Sequence, residues 1–148
     1  MKDSIASGYV KAALRSLDPK CLLPHLDGIA TQRMTCLLLW LAYCGWGRIH
    51  VVAGRRDLDQ QCQLYGQGRT AAECMDRDVP CSYAKPAMQI VTWCNPYNSR
   101  HVRGLAIDVD LLMYAQVSYP AFGSLVRKAG FTWGGDWDVR DYGHIEIG

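Results

Sequence analysis

No apolar run in this 148-residue chain reaches bilayer length. The longest uncharged hydrophobic stretch, Met34 to Gly47 (MTCLLLWLAYCGWG), has 14 residues, where a spanning helix needs about 20. It reads as a buried helix, with a membrane-associating segment as the alternative, and no stable membrane insertion is expected. The N-terminus, MKDSIASGYVKAALRSLD, lacks the apolar core of a signal peptide and instead scatters charges at helical spacing. An excess of one charge is missing too. Sixteen Lys+Arg against fourteen Asp+Glu leave +2, too little to argue for a nucleic-acid binder and at most a slight preference for polyanionic surroundings. Seven cysteines contain no CxxC, and an odd count without a leader points to reduced thiols in a cytoplasm. Cys36 and Cys44 are expected as small core side chains. Cys74 and Cys81 flank a polar, Pro-containing loop, where reduced thiols are the default and a bridge or a structural metal the alternatives. Repeats and Ser/Gly linkers are absent, so residues 1–148 read as one domain.

What is present is a hydrophobic share of 49% against 20% charged residues, with a mean hydropathy of −0.09, which suits a folded domain and excludes a disordered chain. Residues 6–17 have the pattern of an amphipathic helix, followed by a turn at Asp18-Pro19. A second helix is expected over about 31–43, stopped by Gly45 and Gly47. Residues 48–53 (RIHVVA) alternate as a strand, and Asp57 can cap a short helix through Tyr65. Residues 69–86 show no period and read as a long loop, Met88–Trp93 as a β-branched strand, and 104–112 (GLAIDVDLL) as a central strand. A helix over 119–129 ends at Gly130, and short strands are expected at 131–133 and 144–147. Helices first, then antiparallel strands with one late helix, give an α+β class: a small, mainly antiparallel sheet with helices packed on one side.

Side chains able to do chemistry concentrate in two stretches, Ser99–Asp108 and Trp133–Glu146. Imidazole and carboxylate are ligands for a hydrolytic zinc, and three protein ligands leave a fourth position for water. His101 at a loop end, Asp108 in the next strand and His144 opening another strand can converge on one ion. Asp141, three residues before His144, falls on the opposite face of a regular strand, but Gly143 permits a turn that brings both to one place. A carboxylate beside the ion can take a proton from the attacking water and return one to the leaving amine. Asp136 and Asp138 compete for that role, with Asp136 better suited to forming the turn. Asp110 and Glu146 share strand faces with Asp108 and His144, as holders of a ligand histidine or as solvated edge carboxylates. Trp133 and Trp137 are cleft walls or core; His25 and His50 are structural. Satisfied structural histidines and ordinary Asp-rich turns account for the same residues without any metal.

These stretches resemble the M15 zinc peptidases, which include D-alanyl-D-alanine carboxypeptidases and phage L-alanyl-D-glutamate peptidases. The family pattern SxHxxGxAxD, followed much later by acid-x-x-His, is matched by Ser99, His101, Gly104, Ala106 and Asp108, then Asp141 and His144. Its G-x-R-S-x-x-x-Q segment is similar to Gly54-Arg55-Arg56-Asp57-Leu58-Asp59-Gln60-Gln61, and Trp133-Gly134-Gly135-Asp136-Trp137 is similar to the phage endolysin branch. The blocks keep the family's order over about residues 25–148. The resemblance implies one Zn2+ held by His101, Asp108 and His144, with Asp141 as general acid/base. Arg56 contacts substrate or steadies a developing oxyanion, although a surface arginine at a helix start is the plain alternative. Ser99 and Gln61 join it in substrate binding, Ser99 directly or by orienting the ligand loop and Gln61 by supporting the arginine's segment. Asp57 departs from the family serine, and 69–86 resembles an insertion.

The implied activity is hydrolysis of the peptide stem of bacterial peptidoglycan, foremost as an L-Ala–D-Glu endopeptidase endolysin. A D-Ala-D-Ala carboxypeptidase or dipeptidase is the runner-up, and a non-catalytic zinc-binding wall-recognition or phage structural module the third reading. The implied setting is a monomer without nucleic-acid partners or a separate wall-binding domain, made in the host bacterial cytoplasm and acting on the wall after release.

Overall fold

The computed structural model describes the backbone of residues 2–148 and side chains from residue 8 onward. Helix α1 spans Lys2–Leu17, and the expected start at Ala6 lies outside the described side chains. Asp18 ends it, turning back so that its buried carboxylate accepts the N–H groups of Leu22 and Leu23 at 2.8 and 2.9 Å. Helix α2, Gly28–Leu41, starts where the Asp27 side chain accepts from Ile29 and Ala30. It widens through Ala42–Trp46 and kinks at Gly45, whose φ of 98° only glycine adopts freely. None of the described helices is long and apolar enough to cross a membrane. Met34, Leu37, Leu38 and Leu41 are buried, but Cys36 and Cys44 are exposed rather than core side chains. A stripe only wide enough for the leucines faces inward, and both cysteines fall off it.

The strands are β1 (His50–Ala53), β2 (Ala106–Asp110), β3 (Phe131–Trp133) and β4 (His144–Ile147), and α5 covers Tyr119–Lys128. They form one sheet in the order β1-β2-β4-β3 with every pairing antiparallel. Leu17, Leu38, Leu41, Ile49, Val51, Ile107, Phe122, Val126 and Ile145 form the core of this α+β unit, each fully buried side chain contributing about 1.5–3 kcal/mol. The unit comprises residues up to Arg55 together with Gly104–Gly148.

Arg56–Arg103 form a second compact unit. Helix α3, Leu58–Tyr65, begins with a capping box: Asp57 accepts the Gln60 N–H at 2.7 Å and Gln60 accepts the Asp57 N–H at 3.2 Å. The stretch 69–86 is not an unstructured loop. Thr70 and Glu73 build a second capping box for α4, Ala71–Met75, and Cys62, Tyr65, Cys74 and Val79 pack into a small core. The strand expected over Met88–Trp93 does not form. Its β-branched residues favour extension, but among the described residues this unit holds no strand to pair with. Arg69 also takes the Thr92 carbonyl at 2.8 Å while stacking against Tyr65 and Trp93.

The departure at Asp57 thus has a local explanation, since Asp and Ser are both good N-caps. Asp57→Ser should leave stability within a few tenths of a kcal/mol, whereas Asp57→Ala should cost about 1 kcal/mol. Urea unfolding of the three proteins checks this; equal losses for Ser and Ala would remove the capping account.

Candidate active site

Asp108 and His144 are direct partners in the β2–β4 ladder, so their side chains leave the sheet on the same face. His144 Nδ1 lies 3.0 Å from Asp108 Oδ1. The other ring nitrogen, Nε2, lies 3.1 Å from Oε2 of Glu146, two residues along β4. Trp137 covers the imidazole with ring centroids 4.8 Å apart.

Asp141 reaches the neighbourhood of His144 through a tight turn. Its N–H donates to Gly134 O at 3.0 Å, and the His144 N–H donates to Asp141 O at 3.2 Å. Gly143 lets the turn pass against β2, because a Cβ there would stand 2.5 Å from Val109 O. The turn overrides the face alternation that a regular strand would have imposed on a three-residue spacing. Asp136 is engaged elsewhere, accepting Arg127 through both carboxylate oxygens at 2.8 and 2.9 Å, as suits a residue that fixes the turn. Asp110 accepts the Leu112 N–H at 2.7 Å and closes the end of β2; it does not hold a histidine. Trp133 is core, its indole N–H donating to Tyr142 O at 2.8 Å. His50 is tied to Ser16 O at 2.9 Å, and His25 lies exposed in the 3-10 turn Leu23–His25.

Burial by itself would lower the His144 pKa. Hydrogen bonds to Asp108 and Glu146, with the charges of Asp108 and Asp141, outweigh it and push the value up to about 9. Three carboxylates around one buried imidazole create a demand for positive charge. A proton meets that demand in the metal-free protein, and a cation held by a neutral imidazole and a carboxylate meets it equally. The donor chemistry of this half of the expected site therefore fits a metal.

The remaining expected site residues belong to the second unit. Arg56 precedes α3; its backbone N–H donates to His101 O at 3.2 Å and its guanidinium to Gln61 Oε1 at 3.3 Å. Gln61 is almost fully buried, so it props the arginine, and the same backbone bond ties Arg56 to the loop of His101. Ser99 is buried in that loop, its carbonyl accepting the Arg103 N–H at 3.3 Å. Asn95 caps the 3-10 turn Pro96–Asn98 that leads into it. Burial raises the pKa of Cys62 and Cys74, which disfavours either thiol as a nucleophile. Trp137, expected as cleft wall or core, is exposed and packs against the His144 ring.

Residues 94–147 match a peptidase M15 family model described as D-alanyl-D-alanine carboxypeptidase. The chain is also similar to a crystal structure of the L-Ala D-Glu endopeptidase ChiX of Serratia marcescens. That match has 17% identity and a TM-score of 0.47, over 90% of this chain and 86% of that one. No curated protein matches the chain.

In the metal-free protein the raised His144 pKa gives a defined pH window. The folded value of about 9 lies above the ordinary 6.5, so the stabilisation is complete below that ordinary value and is lost as pH rises through the folded one. An NMR titration of the His144 ring in chelator should place its midpoint near 9, with unfolding stability falling over the same window. A midpoint at or below the ordinary histidine value would contradict the arrangement.

Proposed function

We propose that this chain, whose residues 94–147 match an M15 peptidase family model, is a zinc peptidase of the bacterial peptidoglycan stem. The observation that carries the reading is the pairing of Asp108 with His144 on one face of the sheet, with the Asp141 charge acting on the same imidazole. His101, Asp108 and His144 offer two imidazole nitrogens and a carboxylate oxygen, the donor set of a catalytic zinc with a position left for water. When bound, zinc polarises the scissile carbonyl and makes the attacking water more acidic. Asp141 takes the proton from that water and passes it to the leaving amine. Arg56, held by Gln61, steadies the negative charge that develops on the carbonyl oxygen. Ser99 orients the loop that carries His101.

Cleavage between L-Ala and D-Glu is the favoured reaction, because Trp133-Gly134-Gly135-Asp136-Trp137 resembles the endolysin branch of the family. With it comes a lytic role on the wall after release from a host cytoplasm. The description of the matched family model favours a second reading, removal of a terminal D-Ala.

Digestion of purified peptidoglycan followed by mass spectrometry of the fragments separates the two. New L-Ala carboxyl and D-Glu amino ends support the endopeptidase, and free D-Ala transfers the assignment to the carboxypeptidase. No product from the zinc-loaded protein overturns both readings in favour of a binding module. Asp141→Asn should lower kcat by about 10²–10⁴-fold while zinc still binds. Full activity in that variant would remove Asp141 from the mechanism.

A further inference from the structure

We infer that Glu146 is a positioning residue for the metal: it accepts the Nε2–H of His144 and so reserves Nδ1, on the Asp108 side, as the nitrogen that binds the ion. The inference rests on the zinc reading proposed above. Two carboxylates flank the imidazole at nearly equal distances, 3.0 Å for Asp108 at Nδ1 and 3.1 Å for Glu146 at Nε2. A neutral imidazole has one N–H and one lone pair, so the two sides must do different work. With Asp108 as a metal ligand, the lone pair belongs on Nδ1 and the N–H on Nε2, where Glu146 accepts it. A carboxylate accepting from the distal nitrogen fixes both the tautomer and the ring plane.

Glu146 is not a solvated edge carboxylate. It stands on β4, an interior strand, where its backbone is paired with Ala106 on one side and Thr132 on the other. Its side chain is only 18% exposed. The small Ala106 and the two-residue spacing from His144 leave the carboxylate on the histidine's face, and neighbours on both sides hold it there. Asp110 has the same two-residue relation to Asp108 but spends its carboxylate on the Leu112 N–H, so the spacing alone does not create such a partner.

The test is competition of the full-length protein with a chromophoric chelator for Zn2+. Glu146→Ala should weaken zinc binding by about 10–100-fold. Glu146→Gln, whose amide oxygen still accepts the N–H, should stay within a few-fold of the parent. A long-range ¹H–¹⁵N spectrum of the zinc-loaded parent protein supplies a readout that needs no variant, and should show His144 protonated at Nε2. Unchanged affinity in Glu146→Ala, or a proton on Nδ1 in the loaded protein, overturns the assignment to Glu146 and leaves the zinc reading standing. Failure of the parent protein itself to bind zinc overturns the zinc reading, and the role of Glu146 falls with it.

Discussion

The register between β2 and β4 is the constraint on which the rest depends. Because side chains alternate along a strand, a one-residue slip would send His144 to the face opposite Asp108 and exchange the buried Ile145 for a charged neighbour. Ile107 opposite Ile145 on the core side therefore fixes Asp108 opposite His144 on the other. The hydrophobic effect sets the register, and the register places the polar groups. Gly143 extends the same logic past the end of β4. Its lack of a side chain lets the turn lie against Val109, which leaves the Asp141 charge close enough to act on His144.

The second unit achieves order without a sheet. Capping boxes at Asp57 and Thr70 start its helices, and the buried Arg69 replaces a strand partner by binding the carbonyls of Tyr65 and Thr92. Tyr97 donates its hydroxyl to Asp78 O at 2.9 Å, so the stretch that looked like an insertion is tied to the loop preceding His101. Changes within 69–86 would therefore reach that loop.

Much of this was legible in the sequence where one local rule decided the outcome. The alternation of 104–112, the cap at Asp57 and the glycine stop at 130 all produced the elements they signalled. Reading failed where a tertiary partner decided. Ile90-Val91-Thr92 has strand propensity but no strand beside it, and Cys36 and Cys44 sit in an apolar run without facing the core. The helix at 71–75 is a different failure, since the Thr70-x-x-Glu73 signal was present but sat within a stretch lacking hydrophobic period. For the proposed site, residue types and spacing singled out Asp108 and His144, and Asp141 only by way of the turn that Gly143 permits. Choosing between holder and bystander for Glu146 and Asp110 needed coordinates, because both satisfy the same period of two.

We propose that one metal ion, held by His101, Asp108 and His144, is required for peptide hydrolysis. The most direct test is stepwise return of zinc to chelator-stripped protein, following release of soluble peptide from purified peptidoglycan. No release is expected without metal, followed by a linear rise that saturates at about one equivalent, as a single catalytic site requires. Full release from the stripped protein would contradict the proposal.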